Sequence, residues 1–451
     1  MKRILIAGTH SGCGKTTVTC ALLAALKKRG LKVSAFKCGP DYIDPMFHRE
    51  VIGVPSYNLD SFFCDDDTLK YLLHEHGAES DISVIEGVMG FYDGADGRGS
   101  AYSVSQITDT PAVIVIDCKG MSDSAGALMR GFMDYKRPNN IAGFIFNRLP
   151  ERLIPLMKDL CSQLGTRYLG CLPKTEITIE SRHLGLVTAD EIADIKQRLD
   201  KLRELAEKYL CLDELLGMNT PGYPGFTAPF FPHTDGDKPV IAAAKDRAFC
   251  FIYDDNIELL KKLGCEVVFF SPLSDKQIPE NASGLYLCGG YPELYAGRLS
   301  ANDEMLADIK KKINDGLPAI AECGGFMYLH DTFEDMDGNA YNGAGVIHGK
   351  AFRTTKLQRF GYVTLTAAND NLLCDAGDKF PAHEFHYFDS TDCGSSFTAS
   401  KTDGRTWECI HADRHLYAGF PHLYFYSDIK TAERFVNTCR GFMEKKRNDK
   451  N

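Results

Sequence analysis

The feature that most constrains the fold is the alternation of short apolar runs with helical segments in the first half of the chain. The runs are nearly continuous, which is typical of strands covered on both faces of a parallel sheet. Between the first two runs, residues 15–30 have helical periodicity that Gly30 closes. The alternation predicts a doubly wound α/β domain with a parallel sheet. The predicted strands are RILIAG (3–8), KVSAFKCG (32–39), DISVIEG (81–87), AVIVIDC (112–118), IAGFIFN (141–147) and RYLGCL (167–172).

A second α/β set follows a stretch that contains no strand. Residues 188–217 have helical periodicity, and the aperiodic segment after them is rich in Pro and Gly, which is typical of a domain boundary. Further apolar runs then predict a second α/β domain, which becomes rich in β-strands from about residue 345. We therefore predict three parts: a first domain (1–190), a helical segment with a linker (191–237) and a second domain (238–445).

Composition limits the classes of protein to be considered. The net charge of −10 over 451 residues argues against a general nucleic-acid binder. The N-terminal apolar stretch is too short for a signal peptide and no run of 18 apolar residues occurs, so we expect no membrane segment and a cytoplasmic protein. The 16 cysteines form no Cys-x-x-Cys pair, so we expect reduced core thiols. The sequence does not give the oligomeric state, and a homodimer stays open.

The segment GTHSGCGKTT (8–17) lies between the first strand and the first helix and has the character of a phosphate loop. Its glycines let backbone N–H groups converge on phosphate oxygens, Lys15 can reach the outer phosphates and Thr16 can bind Mg²⁺. The commonest phosphate loop has a glycine where Thr9 stands, whereas here Gly8 stands one place earlier. A plain glycine-rich turn with a solvated lysine is the alternative. The predicted nucleotide-binding residues of the loop are Gly12, Gly14, Lys15, Thr16 and Thr17.

Charged side chains follow the next two predicted strands. Lys37 ends the second strand, and carboxylates follow both that strand and the third. Because the carboxyl ends of parallel strands meet at one edge of the sheet, these groups gather near the bound phosphates. Any one carboxylate alone is better explained as a helix cap or a loop acid, but together they predict a magnesium site. The predicted Mg²⁺ ligands are Thr16, Asp41, Asp44 and Glu86.

In the second domain, AIAECGGFMYL (319–329) places Cys323 between an apolar strand and a Gly-Gly helix start. This is the pattern of a nucleophile elbow, and we expect the helix N-terminus to favour the reactive thiolate. The Gly-Gly turn that follows another strand predicts an oxyanion site at Gly290. His422 is the candidate base, although a histidine in an apolar stretch is more often a core residue.

Longer segments carry a resemblance to known families. A phosphate loop that begins Gly-Thr resembles the dethiobiotin synthetase-like enzymes, which activate carboxylates with ATP. The segments KCGPDYIDP (37–45), EGVMGFYDG (86–94) and SRHLGLV (181–187) resemble those of the cobyrinate a,c-diamide synthase family, and the likeness runs from Lys2 to about Phe442. The second domain resembles class I glutamine amidotransferases in the cobyrinate synthase branch.

The resemblance implies an ATP-dependent, glutamine-hydrolysing carbon–nitrogen ligase with Mg²⁺. ATP and L-glutamine are then co-substrates, and the a and c acetate carboxylates of a corrinoid ring are amidated through acyl phosphates. The first domain is implied to bind ATP and activate the carboxylate, and the second to be the amidotransferase. Class I members usually carry a Glu two residues after the catalytic His, where this chain has Tyr424. We therefore predict a Cys323–His422 pair and leave its orienting group open.

The resemblance also assigns residues outside the two motifs. It implies that Lys37 and Asn147 contact ATP, Asn147 by reading the adenine. The candidate substrate residues are Asp93, Arg182 and Arg353. Lys356 and Arg359 offer further basic contacts, and for the basic residues a solvated charged face is an equal alternative. His383, Glu384 and His386 are candidates to lie between the domains; their spacing places the two histidines on opposite strand faces, which disfavours a metal site.

Two other functions remain open from the sequence. Nickel-sirohydrochlorin and hydrogenobyrinate a,c-diamide synthases keep the chemistry and change the ring. A ParA-like ATPase belongs to another class, but such a protein has no use for the Cys323 elbow.

Overall fold

The structure is a computed structural model that describes residues 1–95, 97–175, 189–232 and 237–448, without the side chains of 189–193. The chain forms two compact units, Met1–Pro229 and Phe230–Asn451. Each unit is built around its own parallel sheet, so the α/β fold predicted for both halves is confirmed.

The first unit contains a seven-stranded sheet. Its strands in chain order are β1 (Arg3–Gly8), β2 (Val33–Cys38), β3 (Ser56–Leu59), β4 (Ile82–Glu86), β5 (Ala112–Asp117), β6 (Ile141–Asn147) and β7 (Tyr168–Cys171). The spatial order is β3-β2-β4-β1-β5-β6-β7, and every neighbouring pair is parallel. Ligands of such sheets bind beyond the carboxyl ends of the central strands. The loops after β1, β2 and β4 therefore meet where the nucleotide site is predicted.

Helices cover this sheet, and the first of them begins inside the phosphate loop. The helices are α1 (Lys15–Lys28), α2 (Ile43–Phe47), α3 (Asp66–Gly77), α4 (Ala101–Ile107), α5 (Ser124–Tyr135), α6 (Ile154–Gln163), α7 (Ala189–Tyr209) and α8 (Leu212–Leu216). The chain leaves α1 through Gly30, whose φ of 81° is the left-handed conformation that glycine favours. A short π-helical turn, His48–Ile52, follows α2, and a 3₁₀ turn, Glu151–Leu153, precedes α6.

The segment predicted as a linker is tied to the first unit. Helix α7 packs against α1, and Arg29 at the end of α1 pairs with Glu207 and Asp213 at 2.7 Å each. Further along, the hydroxyl of Tyr223 donates to the carbonyl of Lys70 at 2.5 Å. Residues up to Pro229 therefore belong to the first compact unit, although their sequence lacks periodicity.

The second unit has a six-stranded sheet, a small two-stranded ribbon and a further large β-sheet of mixed strand directions. Its strands are β8 (Val240–Ala244), β9 (Phe249–Phe251), β10 (Glu266–Phe270), β11 (Gly284–Leu287), β12 (Gly289–Gly290), β13 (Ala319–Glu322), β14 (His330–Glu334), β15 (Ala340–Asn342), β16 (Ile347–Ala367), β17 (Lys379–Ser390), β18 (Phe397–Ser400), β19 (Thr406–Cys409), β20 (His411–Ala412) and β21 (Leu416–Gly419). The first sheet runs β10-β8-β11-β13-β21-β20, parallel apart from β20.

The remaining elements of the second unit are helical. They are α9 (Asp254–Lys262), α10 (Ala296–Ser300), α11 (Asp303–Asn314), α12 (Gly324–Leu329) and α13 (Ile429–Asn448), with 3₁₀ turns at Pro292–Tyr295 and Phe425–Ser427. Strands β11, β13 and β21 lie side by side and end at one edge of the sheet. That edge brings together the segments that carry Gly290, Cys323 and His422. Within the described ranges, no helix has the length and apolarity needed to cross a membrane.

Candidate active sites

The phosphate loop has the backbone shape that phosphate binding requires. Gly12 and Gly14 have φ values of 80° and 96°, a region that residues with a side chain rarely adopt. Gly14 is the N-cap of α1, so the first N–H groups of the helix open towards the loop. The Lys15 ammonium donates to the carbonyl of His10 at 3.1 Å, and burial lowers its pKa. The loop is therefore already shaped to bind phosphate, and the Lys15 ammonium lies inside it.

The unusual position of the first glycine has a steric cause. A Cβ atom on Gly8 would lie 2.3 Å from Sγ of Cys13, which is fully buried. The thiol of the loop thus fills the space that a side chain at Gly8 would need. On the opposite side, Nδ2 of Asn147 donates to the carbonyl of Cys13 at 3.0 Å, and a Cβ on Gly14 would lie 2.0 Å from that nitrogen. Asn147 therefore supports the loop, and adenine reading by this residue stays a prediction.

Beside the loop lies a buried group of charges that we call the Lys37 cluster: Lys37, Asp44 and Glu86. The Lys37 ammonium lies 2.5 Å from Oδ2 of Asp44 and 2.8 Å from Oε1 of Glu86. Burial alone would lower the pKa of Lys37, but the two carboxylates raise it well above its ordinary value. Burial would likewise raise the pKa of Glu86, whereas Lys37 and His48 hold it well below its usual range. Lys37 and Glu86 therefore carry their charges in the folded protein.

The predicted Mg²⁺ ligands are brought together only in part. The Thr16 hydroxyl donates to Oε1 of Glu86 at 2.6 Å, while Oε2 of Glu86 is buried without a hydrogen-bond partner. The Asp41 carboxylate instead accepts hydrogen bonds from the backbone N–H groups of Ile43 and Asp44 at the start of α2. Desolvation and the neighbouring Asp44 raise the pKa of Asp41 to about 6. Among described residues, no group of three or more His, Cys, Asp or Glu side chains has a metal-binding arrangement.

In the second unit, Cys323 sits on a strained turn between β13 and α12. Its φ of 48° and ψ of −100° are rare for a residue with a side chain, and such strain is typical of a nucleophile elbow. The Cys323 N–H donates to the carbonyl of Gly419 at 2.8 Å, which fixes the turn to the end of β21. A Cβ on Gly325 would lie 2.2 Å from the carbonyl oxygen of Leu287, so glycine is required there for α12 to approach β11.

The expected effect of the helix N-terminus is present at Cys323, but burial has the larger and opposite effect. Burial raises the pKa of the Cys323 thiol well above its ordinary value, and the carboxylate of Glu293 raises it further. The N-terminal N–H of Gly324 acts in the opposite direction but is the weaker effect. Cys323 is therefore a thiol at rest, and a base has to take its proton before it attacks.

The predicted oxyanion turn lies next to the elbow. Gly290 in β12 has a φ of 158°, and a Cβ on it would lie 2.1 Å from the carbonyl oxygen of Ala248. A Cβ on Gly324 would lie 3.1 Å from the Gly290 nitrogen. The Gly290 N–H is thus close to the first residue after Cys323, which is the position that an oxyanion donor must occupy.

The His422 ring lies on the other side of the same turn. A Cβ on Gly289 would lie 2.5 Å from Cε1 of His422, and the residue is 2% exposed. Its backbone pairs in both directions with His383, through hydrogen bonds of 2.9 and 3.2 Å. Nδ1 of His422 lies 3.7 Å from Oε2 of Glu322, the residue before Cys323. The Tyr424 hydroxyl is directed elsewhere and donates to Asp255 at 2.8 Å.

Both halves of the chain match models of known protein families. Residues 4–187 match the model of the CobQ/CobB/MinD/ParA nucleotide binding domain, and residues 240–429 match that of the CobB/CobQ-like glutamine amidotransferase domain. Cobyrinate a,c-diamide synthase of Caldanaerobacter subterraneus subsp. tengcongensis is 38% identical, over 98% of this chain and 99% of that protein. The enzyme of the same name from Listeria monocytogenes serovar 1/2a is also 38% identical, over 95% and 97%.

The chain belongs to the cobyrinate a,c-diamide synthase family. Membership confirms the prediction of a glutamine-hydrolysing carbon–nitrogen ligase, and the two matched domains account for ATP and L-glutamine as co-substrates. It also removes the ParA-like alternative for the whole protein, because a matched amidotransferase domain fills the second half.

Of the predicted substrate residues, Asp93 lies in the first unit and Arg353 in the second. Asp93 is exposed, and its Oδ2 accepts a hydrogen bond from the Gly90 N–H at 2.8 Å. Arg353 is exposed in the second unit, where its guanidinium donates to the carbonyl of Met336. Arg182 lies outside the described residues, as does the segment 181–187. Thr17 is half-buried in the first turn of α1.

In β17, the residues His383, Glu384 and His386 are buried. Oε2 of Glu384 lies 3.0 Å from Nε2 of His386, and Oε1 accepts from the Trp407 indole at 3.3 Å. His386 stacks on Phe420 with a ring separation of 4.0 Å. Burial, with the nearby charge of His422, lowers the pKa of His383 to about 3, so His383 is neutral near neutral pH. A place for these residues between the domains stays a prediction.

Two residues of the second site escaped the sequence analysis. Glu322 is fully buried at the end of an apolar strand, and a carboxylate in that position requires partners, which was the available signal. Glu293 lies in the turn after β12, where desolvation raises its pKa to about 7. Its effect on the thiol of Cys323 depends on tertiary contacts and has no signature in the sequence.

Proposed function

We propose that the chain converts the a and c acetate carboxylates of cobyrinate into amides, with ATP supplying the energy and glutamine the nitrogen. The elbow of Cys323 beside the Gly290 turn and the His422 ring carries the proposal, because a phosphate loop alone would fit many ATPases. The names of the full-length relatives support cobyrinate as the ring.

The glutaminase step begins with proton transfer from the Cys323 thiol to His422. The sulfur then attacks the side-chain amide carbon of glutamine, and the Gly290 N–H stabilises the oxyanion that forms. The carbon–nitrogen bond breaks as the imidazolium returns its proton to the leaving ammonia. Water hydrolyses the remaining thioester, which releases glutamate and restores the thiol.

The ligase step takes place at the phosphate loop. A substrate carboxylate oxygen attacks the γ-phosphorus of ATP, which gives an acyl phosphate and ADP. Lys15 and the backbone of the loop hold the phosphates, and Lys37 balances charge on the transferred group. Ammonia then displaces phosphate at the carbonyl carbon and gives the amide.

The donor set at this edge fits a bound Mg²⁺. A hydroxyl and carboxylate oxygens are the hard ligands that this ion prefers, and Oε2 of Glu86 is buried without a hydrogen-bond partner. Thr16, Asp44 and Glu86 would hold the ion, whereas Asp41 serves as the cap of α2. The ion supplies positive charge to the phosphates.

A product assay tests this proposal. The protein is incubated with ATP and glutamine and with either cobyrinate or nickel-sirohydrochlorin, and amides are counted by mass spectrometry. We expect two amides on cobyrinate, with ADP, phosphate and glutamate formed in matching amounts. Conversion of nickel-sirohydrochlorin with no change in cobyrinate would contradict the proposed ring but keep the chemistry.

Cellular location and assembly remain part of the proposal. We infer a cytoplasmic enzyme, which is supported by the free thiol state of all 16 cysteines. The homodimer stays a prediction.

A further inference from the structure

The glutaminase site lacks an orienting carboxylate in the place where class I enzymes usually have one. Two residues after His422 stands Tyr424, and its hydroxyl is bound to Asp255 at 2.8 Å. A catalytic histidine needs a partner at the nitrogen that does not face the nucleophile, because that partner fixes the ring and its tautomer. The question is which group of this chain serves Nδ1 of His422.

Glu322 is in position to do so. It is the last residue of β13, it is 0% exposed, and its Oε2 lies 3.7 Å from Nδ1 of His422. This is longer than a hydrogen bond, but such contacts in ligand-free enzymes often shorten when substrate binds. The other oxygen, Oε1, accepts from the Leu423 N–H at 3.2 Å. The Glu322 carboxylate thus lies beside the His422 ring with one oxygen and binds the backbone of the next residue with the other.

The surrounding contacts leave the His422 segment little freedom to move. Asn256 donates to the carbonyl of Leu423 at 2.8 Å and accepts from the Phe425 N–H at 2.8 Å. The Tyr286 hydroxyl donates to Oε2 of Glu322 at 3.2 Å, which directs that oxygen. The backbone beside His422 and the Glu322 carboxylate are therefore each held by neighbours, so a small movement of the ring is enough to bring Nδ1 from 3.7 Å to hydrogen-bond distance of Oε2.

We propose that Glu322 is the positioning residue of His422, and that this chain supplies its orienting carboxylate from the residue before the nucleophile. The inference rests on the glutaminase function proposed above. When His422 takes the proton of Cys323, a positive charge appears on the ring, and the Glu322 carboxylate stabilises it through Nδ1–H. Burial raises the pKa of Glu322, while His422, the Leu423 N–H and the Tyr286 hydroxyl act in the opposite direction and favour the carboxylate. The proton leaves again with ammonia, and Glu322 itself neither gains nor loses one.

Other titratable groups near the pair do not supply that negative charge. Burial and the adjacent Glu322 raise the pKa values of Tyr286 and Tyr417 well above the ordinary value of a tyrosine. Both phenols are therefore neutral. His383 is neutral because burial lowers its pKa to about 3. The carboxylates of Glu293 and Glu384 act on Cys323 itself, whose pKa they raise.

The test replaces Glu322 by Gln, which keeps the shape and removes the charge. We expect glutamine-dependent amidation by Glu322→Gln to fall at least about 100-fold in kcat, as when the acid of a catalytic triad is replaced by its amide. KM for glutamine and the ammonia-dependent rate should change less than about threefold. The matched control is Tyr424→Phe, which alters the position where class I enzymes carry Glu and should keep full glutaminase activity.

A pH profile separates positioning from a merely structural role. The rate of Cys323 alkylation by iodoacetamide is followed against pH, with the modified cysteine identified by peptide mass spectrometry. The Glu322 carboxylate stabilises positive charge on the ring, so its removal should move the acid limb of the profile to lower pH. An unmoved acid limb in Glu322→Gln, with glutaminase activity within threefold of the unmodified protein, would overturn the inference.

The failure of the inference can be told from failure of the proposed function. If Cys323→Ser retained glutamine-dependent amidation, the glutaminase assignment itself would be lost. If Cys323→Ser abolished it while Glu322→Gln behaved like Tyr424→Phe, only the role of Glu322 would be wrong. Should Glu322→Gln lose ammonia-dependent activity too, Glu322→Asp decides: an intermediate loss of kcat supports the inference, and full glutaminase activity with the shortened side chain contradicts it.

Discussion

The two active sites treat buried charge in opposite ways. In the Lys37 cluster, the ammonium lies 2.5 and 2.8 Å from two carboxylates, and Lys37 and Glu86 keep their charges. At Cys323 and His383, burial favours the neutral form: the pKa of the thiol is raised and the pKa of His383 is lowered to about 3. Both sites are buried, so burial alone does not decide the charge state. The presence or absence of a close counter-charge does.

The difference corresponds to the chemistry that each site has to perform. A site for phosphoryl transfer works with fixed charges that face a polyanion, and pre-arranged charges avoid reorganisation during the reaction. A thiol nucleophile needs its charge only when the amide is in place, so a neutral resting state is compatible with activity. The second site therefore depends on a proton acceptor, whereas the first depends on paired charges.

The largest effect is expected from breaking the paired charges. Lys37→Met leaves the carboxylates of Asp44 and Glu86 buried without their ammonium, which should lower the free energy of unfolding by about 3–5 kcal/mol. Amidation should be lost with both glutamine and ammonia. Urea unfolding and the product assay measure the two effects.

The control and the pH dependence sharpen this prediction. Lys28→Met, at an exposed lysine in the same unit, should change the unfolding free energy by less than about 0.5 kcal/mol. In the unmodified protein the lowered pKa of Glu86 contributes stability that is lost as the pH falls through its folded value. In Lys37→Met the folded pKa should lie above the unfolded one, so stability should increase from pH 8 to pH 6. A Lys37→Met protein as stable as Lys28→Met would contradict the account.

A smaller effect is expected from crowding the phosphate loop. The new Cβ of Gly8→Ala would lie 2.3 Å from Sγ of Cys13, so the loop has to shift. KM for ATP should rise about tenfold, which corresponds to about 1.4 kcal/mol of binding. Cys13→Ala in the same protein removes the sulfur and should recover part of this loss. No recovery would mean that Cys13 is not the reason for the glycine.

The smallest effect concerns the charge beside the thiol. Above the Glu293 pKa of about 7 its carboxylate is ionised and raises the pKa of Cys323. Glu293→Gln should therefore speed alkylation of Cys323 at pH 8.5 by about threefold, and leave it unchanged at pH 6, where the carboxyl of the unmodified protein is protonated. Glu444→Gln, at an exposed position of α13, serves as the control. An equal acceleration at both pH values would exclude the carboxylate as its cause.

Sequence analysis recovered what depends on local pattern. The six predicted strands of the first unit are present, but β3 was missed because its four residues include Ser and Asn and have no apolar run. The elbow of Cys323 was predicted from the strand, the cysteine and the two glycines that follow. The contact of Glu322 with His422 joins residues 100 positions apart in the sequence, so only the fold brings it to light.

The protonation of Cys323 likewise depends on the fold. A helix N-terminus can be read from the sequence and does favour a thiolate. The burial of Cys323 and the nearness of Glu293 cannot be read in that way, and in the structure they outweigh the helix. A local motif therefore predicts the elbow that carries Cys323, whereas the protonation of its thiol depends on tertiary contacts.

The central claim is that a glutaminase built on Cys323 feeds nitrogen to a separate ATP-dependent ligase site. Cys323→Ser tests it most directly, with amide formation on cobyrinate measured once with glutamine and once with ammonium salt. We expect loss of at least about 1,000-fold with glutamine, since the nucleophile is removed, and an ammonia-dependent rate within about twofold of the unmodified protein. Unchanged amidation with glutamine would contradict the account.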